Sequence, residues 1–386
     1  MLEKILHDRT FRKVLIIFLI AKILVLSVGI ISHYFIPEDL TYRKTVTDNI
    51  FLNPWAQLDS QAYLDIAKNG YNPEFNNGLG NYGWYPFYPF LISLFSFIGF
   101  ELAAFLISNI ASFLAILALY LLVKEEFGDK IAKKSIFYLL FFPAAYFLTA
   151  MYTESLFLLL SISMFYFAKR EKWLYVGILG LLLSLTRMQG ILLFFPMLYM
   201  FYRKNKLKAQ VLTIFLIPLG LVILMGYHYS TSGDSLIFLR AQEEYSSRMI
   251  SFPLLAFADS ISKIISYNNF RYFLYNFSNL SITIFLLLLS YIAWKKKYLK
   301  NEYLIYLLIL IIFPMFSGTL DAMARFAITM FPAFITISMI TEKEKKYNTI
   351  FKIIYIIFII LLIFSTARYV NEDINLCEML SIKTFC

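Results

Sequence analysis

Charge is what this 386-residue chain has least of. Asp, Glu, Lys and Arg make up 16% of it, against 60% hydrophobic residues. That scarcity excludes a soluble globular domain, which could not cover so much apolar surface. Histidine is nearly absent, at three residues, and cysteine numbers two. There is no H-E-x-x-H, no P-loop, no G-x-S-x-G and no cysteine cluster with metal-ligand spacing, so zincin, nucleotide-triphosphatase and serine-hydrolase chemistries have no support. No metal ligand set is expected, and no cofactor. Cys377 and Cys386 both lie in the C-terminal tail, where they could pair in an oxidising space or stay as thiols. His7 and His33 stand alone, and His228 ends an apolar run.

What is present is a series of apolar runs near the length that crosses a bilayer, about 20 residues. Spans are expected at 14–36, 102–123, 135–150, 153–168, 173–186, 188–202, 209–229, 273–294, 302–316, 324–341 and 348–366. This makes an all-α polytopic membrane protein of about eleven transmembrane helices, with no separate soluble domain. The first run follows Lys4, Arg9, Arg12 and Lys13, exceeds a signal-peptide core and precedes no small-residue cleavage site, so it reads as a retained span. The net charge of +10 does not point to nucleic acid, because the basic residues form no single stripe. They cluster in alternate gaps such as "KREK" (169–172), "RKNKLK" (203–208) and "KKKYLK" (295–300), which together with the N-terminus and two further gaps hold 22 of the 35 lysines and arginines. The positive-inside rule then places the N-terminus in the cytoplasm and the C-terminus outside. Residues 37–101, 230–271 and 367–386 become external loops and tail. "PFYPFLISLFSFIG" (86–99) is too short for a crossing and reads as a re-entrant or interfacial helix on the outer face.

The first external loop carries "QLDSQAYLDIAKNGY" (57–71). As a helix over 60–69 it has Gly70 as C-terminal cap, with Leu58, Ala62 and Ile66 on one stripe and Gln57, Gln61, Asp65 and Lys68 on the other, as for a helix lying in the interface. Asp59 falls in the apolar stripe. It is either the N-cap or a carboxylate turned into a cavity at the membrane surface, where it could serve as a base. Other outward connections bring Tyr152 and Glu154, Arg187 and Gln189, Asp321 and Arg325, and, from the loop after 230, Asp234, Arg240, Gln242 and Arg248. Each has a plainer reading. Thr153 suits an N-cap with Glu154 in the first turn, Arg187 suits snorkelling to headgroups, and Asp321 with Arg325 suits an i,i+4 pair. Taken together, one carboxylate base and several arginines suit transfer of a group from a phosphate-bearing lipid. Arginine pairs with phosphate oxygens and the carboxylate takes a proton from the attacking hydroxyl. A transporter or flippase of a lipid-linked sugar would instead want charge distributed through the spans, whose interiors are almost uncharged, Lys22 being the main exception. A non-catalytic subunit of a glycosylation complex is the other alternative.

The stretches "LDSQAYLDIAKNGY", "WYPFYPFLI", "FFPAAYFLTAMYTESLFLLL", "WLYVGILGLLLSLTRMQGILLFFP", "GDSLIFLRAQ" and "ARFAITMFP", in this order over about 55–333, resemble the GPI mannosyltransferase II (PIG-V) family and its prokaryotic relatives within the GT-C glycosyltransferases. The resemblance implies a GT-C fold with a long first external loop carrying juxtamembrane helices and a catalytic aspartate. It implies a polyprenyl- or dolichyl-phosphate-linked mannose donor and an inverting transfer to a hydroxyl acceptor. The family's Trp-Asp-Ala/Ser pattern aligns with Leu58, Asp59 and Ser60, so Asp59 is the expected base and leucine replaces the tryptophan. Arg187, Arg240 and Arg325 fall in matching motifs and are expected at the donor phosphate, with Tyr152, Glu154, Gln189 and Gln242 as further substrate-binding candidates. The expected partners are a lipid-linked sugar donor, a glycolipid or glycan acceptor and membrane lipid, in a prokaryotic cell membrane.

Overall fold

The computed structural model describes residues 9–35, 46–75, 79–205, 209–246, 248–266, 270–344, 346 and 348–371. The chain is all-α, and the described residues contain no strand. The helices are α1 (Arg9–Phe35), α2 (Asp59–Asn69), α3 (Phe87–Leu94), α4 (Phe100–Phe127), α5 (Asp129–Leu140), α6 (Glu154–Lys169), α7 (Trp173–Ser184) and α8 (Phe194–Asn205). They continue with α9 (Leu216–Ser232), α10 (Ile237–Ser246), α11 (Pro253–Ser266), α12 (Phe270–Lys295), α13 (Asn301–Met315), α14 (Met323–Ala327), α15 (Phe331–Lys343) and α16 (Asn348–Val370). Short 3-10 turns precede α8 and α9 and follow α5.

Among the described residues, five helical stretches are long and apolar enough to cross a membrane: Phe11–Phe35, Phe100–Phe127, Ala209–Ser232, Tyr272–Lys295 and Thr349–Val370. The other six expected spans also form helices, but shorter or broken ones. Proline explains one break. The residue before a proline is disfavoured in the α region, and α5 stops at Leu140, ahead of Pro143, passing into the 3-10 turn Ala145–Leu148. Another expected span, α15, is buried along nearly its whole length, from Phe331 to Thr341. A helix apolar all round belongs inside a bundle rather than against lipid.

Packing joins neighbouring helices and also helices far apart in the chain. Helix α4 lies against α5 and α6, α6 against α7, α7 against α9, α5 against α15, and α1 against α16. The α7–α9 contact is made by glycines: a methyl at Gly180 would meet Ile217 at 2.3 Å, and one at Gly220 would meet Ser184 at 2.0 Å. Small residues let helix backbones approach closely where the surrounding solvent is lipid.

Helix α3 has only eight residues, about 12 Å of helix against about 30 Å of hydrocarbon. Phe90, Leu94 and Phe97, on α3 and the turn after it, are exposed, while Tyr88 and Ile92 are buried. A second apolar face lies on α11, which buries Ala256 and Ser260 and exposes Leu254, Leu255, Ile261 and Ile265. Small residues inside and large aliphatic ones outside is the arrangement of a helix facing lipid.

Helix α2 departs from the two-faced expectation. Gln57 is buried and donates to the Asn53 carbonyl (2.9 Å), whereas Leu58 is 58% exposed. The helix packs into protein on most sides, burying Ser60, Ala62, Tyr63, Leu64, Ile66 and Ala67. Asp65, expected in water, accepts from Asn69 (2.8 Å) and Asn81 (2.6 Å), and so ties α2 to the loop that follows it. Gly70 does end the helix, its N–H bonding back to Ile66 (2.9 Å). Cys377 and Cys386 lie outside the described residues.

Candidate functional site

The site begins at the turn into α2. Leu58 precedes the helix with φ +53°, a conformation that costs a non-glycine residue on the order of 1–3 kcal/mol and persists only where surrounding contacts impose it. Tyr152 supplies two of them. Its phenol oxygen accepts from the Asp59 N–H (3.2 Å) and its O–H donates to the Gln57 carbonyl (3.1 Å). The N–H of Met151 bonds the Trp55 carbonyl (3.0 Å). The connection between α5 and α6 therefore holds the strained turn in place. Asp59 is the first helical residue and not the N-cap, which is Leu58 and makes no side-chain cap. Its carboxylate is released for another partner.

That partner is Arg325, on α14. Arg325 Nη1 donates to Asp59 Oδ2, and its Nε donates to Glu154 Oε1. The same Glu154 oxygen accepts from Arg187 Nη1, which also reaches the Thr153 hydroxyl (3.3 Å). Glu154 is fully buried, while 30% of the Asp59 side chain is exposed. The network thus has a closed end at Glu154 and an open end at Asp59. Aromatic faces wall it: the Arg325 guanidinium lies 4.4 Å from the Tyr152 ring centre and 5.4 Å from that of Phe147, and Arg187 lies 5.3 Å from Phe326.

These contacts replace most of the plainer readings, although Thr153 does stand at the N-cap position of α6 with Glu154 in the first turn. Arg187 does not extend outward as a side chain snorkelling to headgroups would, but is buried against Glu154. Arg325 does not pair with Asp321, which faces Lys263 (3.6 Å). Thr153 makes no cap bond, and its hydroxyl sits 3.4 Å from that of Tyr63.

Tyr152, Glu154, Arg187 and Arg325 are thus brought together at Asp59, while the other expected residues are not. Arg240 pairs with Asp234 and its side chain is 62% exposed. Gln242 donates to the Gly83 carbonyl (2.9 Å), fastening α10 to the loop between α2 and α3. Gln189 is half-buried in the 3-10 turn after Arg187 and takes no part in the network. One residue that the sequence places in the loop after 230, without a role at the donor phosphate, also belongs here. Arg248 sets its guanidinium 5.5 Å from the Phe326 ring, on which Arg187 also lies, and donates to the Asp321 carbonyl (3.3 Å). It pairs with no carboxylate among the described residues, and its buried Nε has no acceptor there. Nothing in the local sequence separates Arg248 from Arg240; only the tertiary fold does.

Electrostatics follow from this geometry. Burial by itself would raise the Asp59 carboxyl. The charge and hydrogen bond of Arg325, with Arg187 and Arg248 behind, outweigh it and hold the group below the usual carboxylate range. Burial pushes the nearby Tyr63 phenol up to about 12. Asp59, Glu154, Arg187 and Arg325 cancel in charge, and Arg248 is the additional cation. The described residues hold no group of three or more His, Cys, Asp or Glu placed to hold a metal ion. The arrangement presents a carboxylate acceptor of protons beside guanidiniums suited to an anion.

Residues 85–228 match the family of dolichyl-phosphate-mannose-protein mannosyltransferases, a stretch that includes Tyr152, Glu154 and Arg187 but not Asp59 or Arg325. No curated protein matches the chain. Among solved structures it is similar to the archaeal oligosaccharyltransferase AglB from Archaeoglobus fulgidus in complex with an inhibitory peptide and a dolichol-phosphate. The identity is 15%, with 93% of this chain and 55% of that chain covered, and the TM-score is 0.43. The apo form of the Archaeoglobus fulgidus oligosaccharyltransferase gives 15% identity, the same coverage and a TM-score of 0.47. The chain spans about half the length of those proteins.

Proposed function

We propose that this membrane protein is a GT-C glycosyltransferase that moves a mannosyl group from a polyprenyl- or dolichyl-phosphate donor to a hydroxyl acceptor at the outer face of the membrane, with inversion. The observation that carries this reading is the joining of Asp59 to Arg325, Glu154 and Arg187 at one end of the helix bundle. The match of residues 85–228 to the mannosyltransferase family supports it.

The chemistry follows from the residues. The donor's phosphodiester enters beside Arg248, the guanidinium without a carboxylate, and draws on Arg325 and Arg187. As phosphate takes up part of Arg325, Asp59 regains basicity. The acceptor hydroxyl attacks the anomeric carbon from the face opposite the phosphate. Its proton passes to the Asp59 carboxylate, the new carbon–oxygen bond forms, and the anomeric carbon–phosphate oxygen bond breaks. Polyprenyl phosphate leaves with its charge held by the arginines. Such a donor carries its own leaving group, so the proposed reaction is written without a divalent ion. Glu154 is a positioning residue: it holds Arg187 and Arg325 in register and touches neither reactant. The acceptor belongs to the glycolipids or glycans of a prokaryotic cell surface. The exposed apolar faces of α3 and α11 lie in the outer interface, with the N-terminus cytoplasmic.

Purified protein incubated with mannose-labelled polyprenyl phosphate and membrane extract is expected to pass label to a lipid or glycan product. Label that stays wholly on the polyprenyl phosphate would sink the reading.

A further inference from the structure

Lys22 lies midway along α1, buried, and no step proposed above uses it. A cation at the centre of a membrane helix costs on the order of 2.5–3.5 kcal/mol on insertion scales, so its surroundings should account for it. Among the described residues it has no carboxylate partner. Its Nζ donates instead to three uncharged oxygens: the Leu148 carbonyl (2.7 Å), Asn109 Oδ1 (2.8 Å) and the Thr149 hydroxyl (2.9 Å). The Phe18 ring lies 5.4 Å away.

All three acceptors lead to the same short turn. Asn109 Nδ2 donates to the Thr149 carbonyl (3.0 Å). The Leu148 carbonyl also accepts from the Ser155 hydroxyl (3.1 Å), which closes the segment 148–155 on itself next to Glu154. Ser108, the neighbour of Asn109, donates to the Tyr152 carbonyl (3.0 Å). The buried side of the turn is therefore fastened by Lys22 and α4. Its other side presents Tyr152 to the strained turn at Leu58–Asp59, and Glu154 to both arginines.

We infer that Lys22 is a positioning residue for the transfer: three hydrogen bonds from one ammonium fix the turn that sets Asp59 and its arginines in place. The inference rests on the reading of this site as a glycosyltransferase centre. A misplacement near 1 Å can cost about 100-fold in rate.

Lys22→Met in the full-length protein, assayed per folded molecule, is expected to lose about 10–100-fold in kcat. Donor KM should stay within about threefold, because Lys22 touches no ligand. Lys22→Gln, which keeps a donor, should recover part of the loss. The double variant Lys22→Met with Asn109→Leu should be no slower than Lys22→Met alone, since both act in one network. Hydrogen exchange of the 148–155 amides should quicken in Lys22→Met. A purely structural lysine would lower the melting temperature and leave kcat per folded molecule and that local exchange unchanged, which overturns the inference. If Lys22→Met does not fold, Thr149→Val and Asn109→Leu replace it, and an unchanged kcat in both overturns it equally. Wild-type protein that transfers no sugar defeats the functional reading instead, and the exchange measurement then decides the role of Lys22 by itself.

Discussion

Arg325 is shared between two carboxylates of different character, and that sharing governs what Asp59 can do. In the ligand-free site the guanidinium stabilises the Asp59 anion and makes it a weak base. A depressed pKa keeps Asp59 deprotonated down to pH values below the usual Asp range, so kcat/KM, which reports the free enzyme, should hold until that acidity and fall only beyond it. In the proposed reaction, donor phosphate competing for Arg325 would raise the carboxyl again, so the acid limb of kcat should lie at higher pH than that of kcat/KM. Acid limbs that coincide would contradict the exchange of Arg325 between carboxylate and phosphate. At this scale the sequence is legible for identity but not for partners. Asp59, Arg187 and Arg325 stand out as charges at helix ends of an apolar chain. That Arg325 bonds Asp59, 266 residues away, and not Asp321, four away, depends on how α14 packs. The local i,i+4 pattern favours Asp321, and tertiary contact overrides it. The left-handed Ala322 (φ +65°) next to Asp321 breaks the helix that such a pair needs.

Helices were legible where apolar length alone decides. Each of the eleven expected spans contains helix, and α1, α4 and α16 lie within a few residues of their expected limits or extend past them. The misfits lie where two signals compete. Pro143 stops α5 inside an apolar run, and helices α10 and α11 form in a loop whose polar residues mask the pattern. Gln57 and Leu58 exchange their expected environments because the turn at Leu58 rotates the chain before α2 begins. The α7–α9 contact offers a controlled test of how elements place the site. Ser184, against which Gly220 packs, lies three residues before Arg187. Gly220→Ala would drive a methyl to 2.0 Å from Ser184 Oγ and 2.8 Å from the Leu181 carbonyl. It is expected to destabilise by about 1–3 kcal/mol and to slow transfer through displacement of Arg187. Gly226, on the same helix, has nothing within 4 Å, so Gly226→Ala should be neutral or stabilise by about 0.5–1 kcal/mol through helix propensity. Thermal melting of both variants checks the pair, and equal effects would contradict the packing.

For the whole molecule, the composition and the spacing of basic clusters give a bundle most of whose charged groups lie towards helix ends, Lys22 midway along α1 being an exception. Contacts between segments distant in the chain then gather some of those ends into one site. Helix α2, the turn 148–155, Arg187 after α7, Arg248 and α14 come from five separate stretches of the chain, and no stretch carries the chemistry alone. The central claim is that the Asp59 carboxylate removes the acceptor proton. Single-turnover transfer from labelled mannosyl phosphopolyprenol tests it most directly, comparing wild type with Asp59→Asn at equal amounts of folded, donor-binding protein. The expected result is a fall of about 100- to 10,000-fold in Asp59→Asn with donor binding retained. Transfer by Asp59→Asn at the wild-type rate would contradict it.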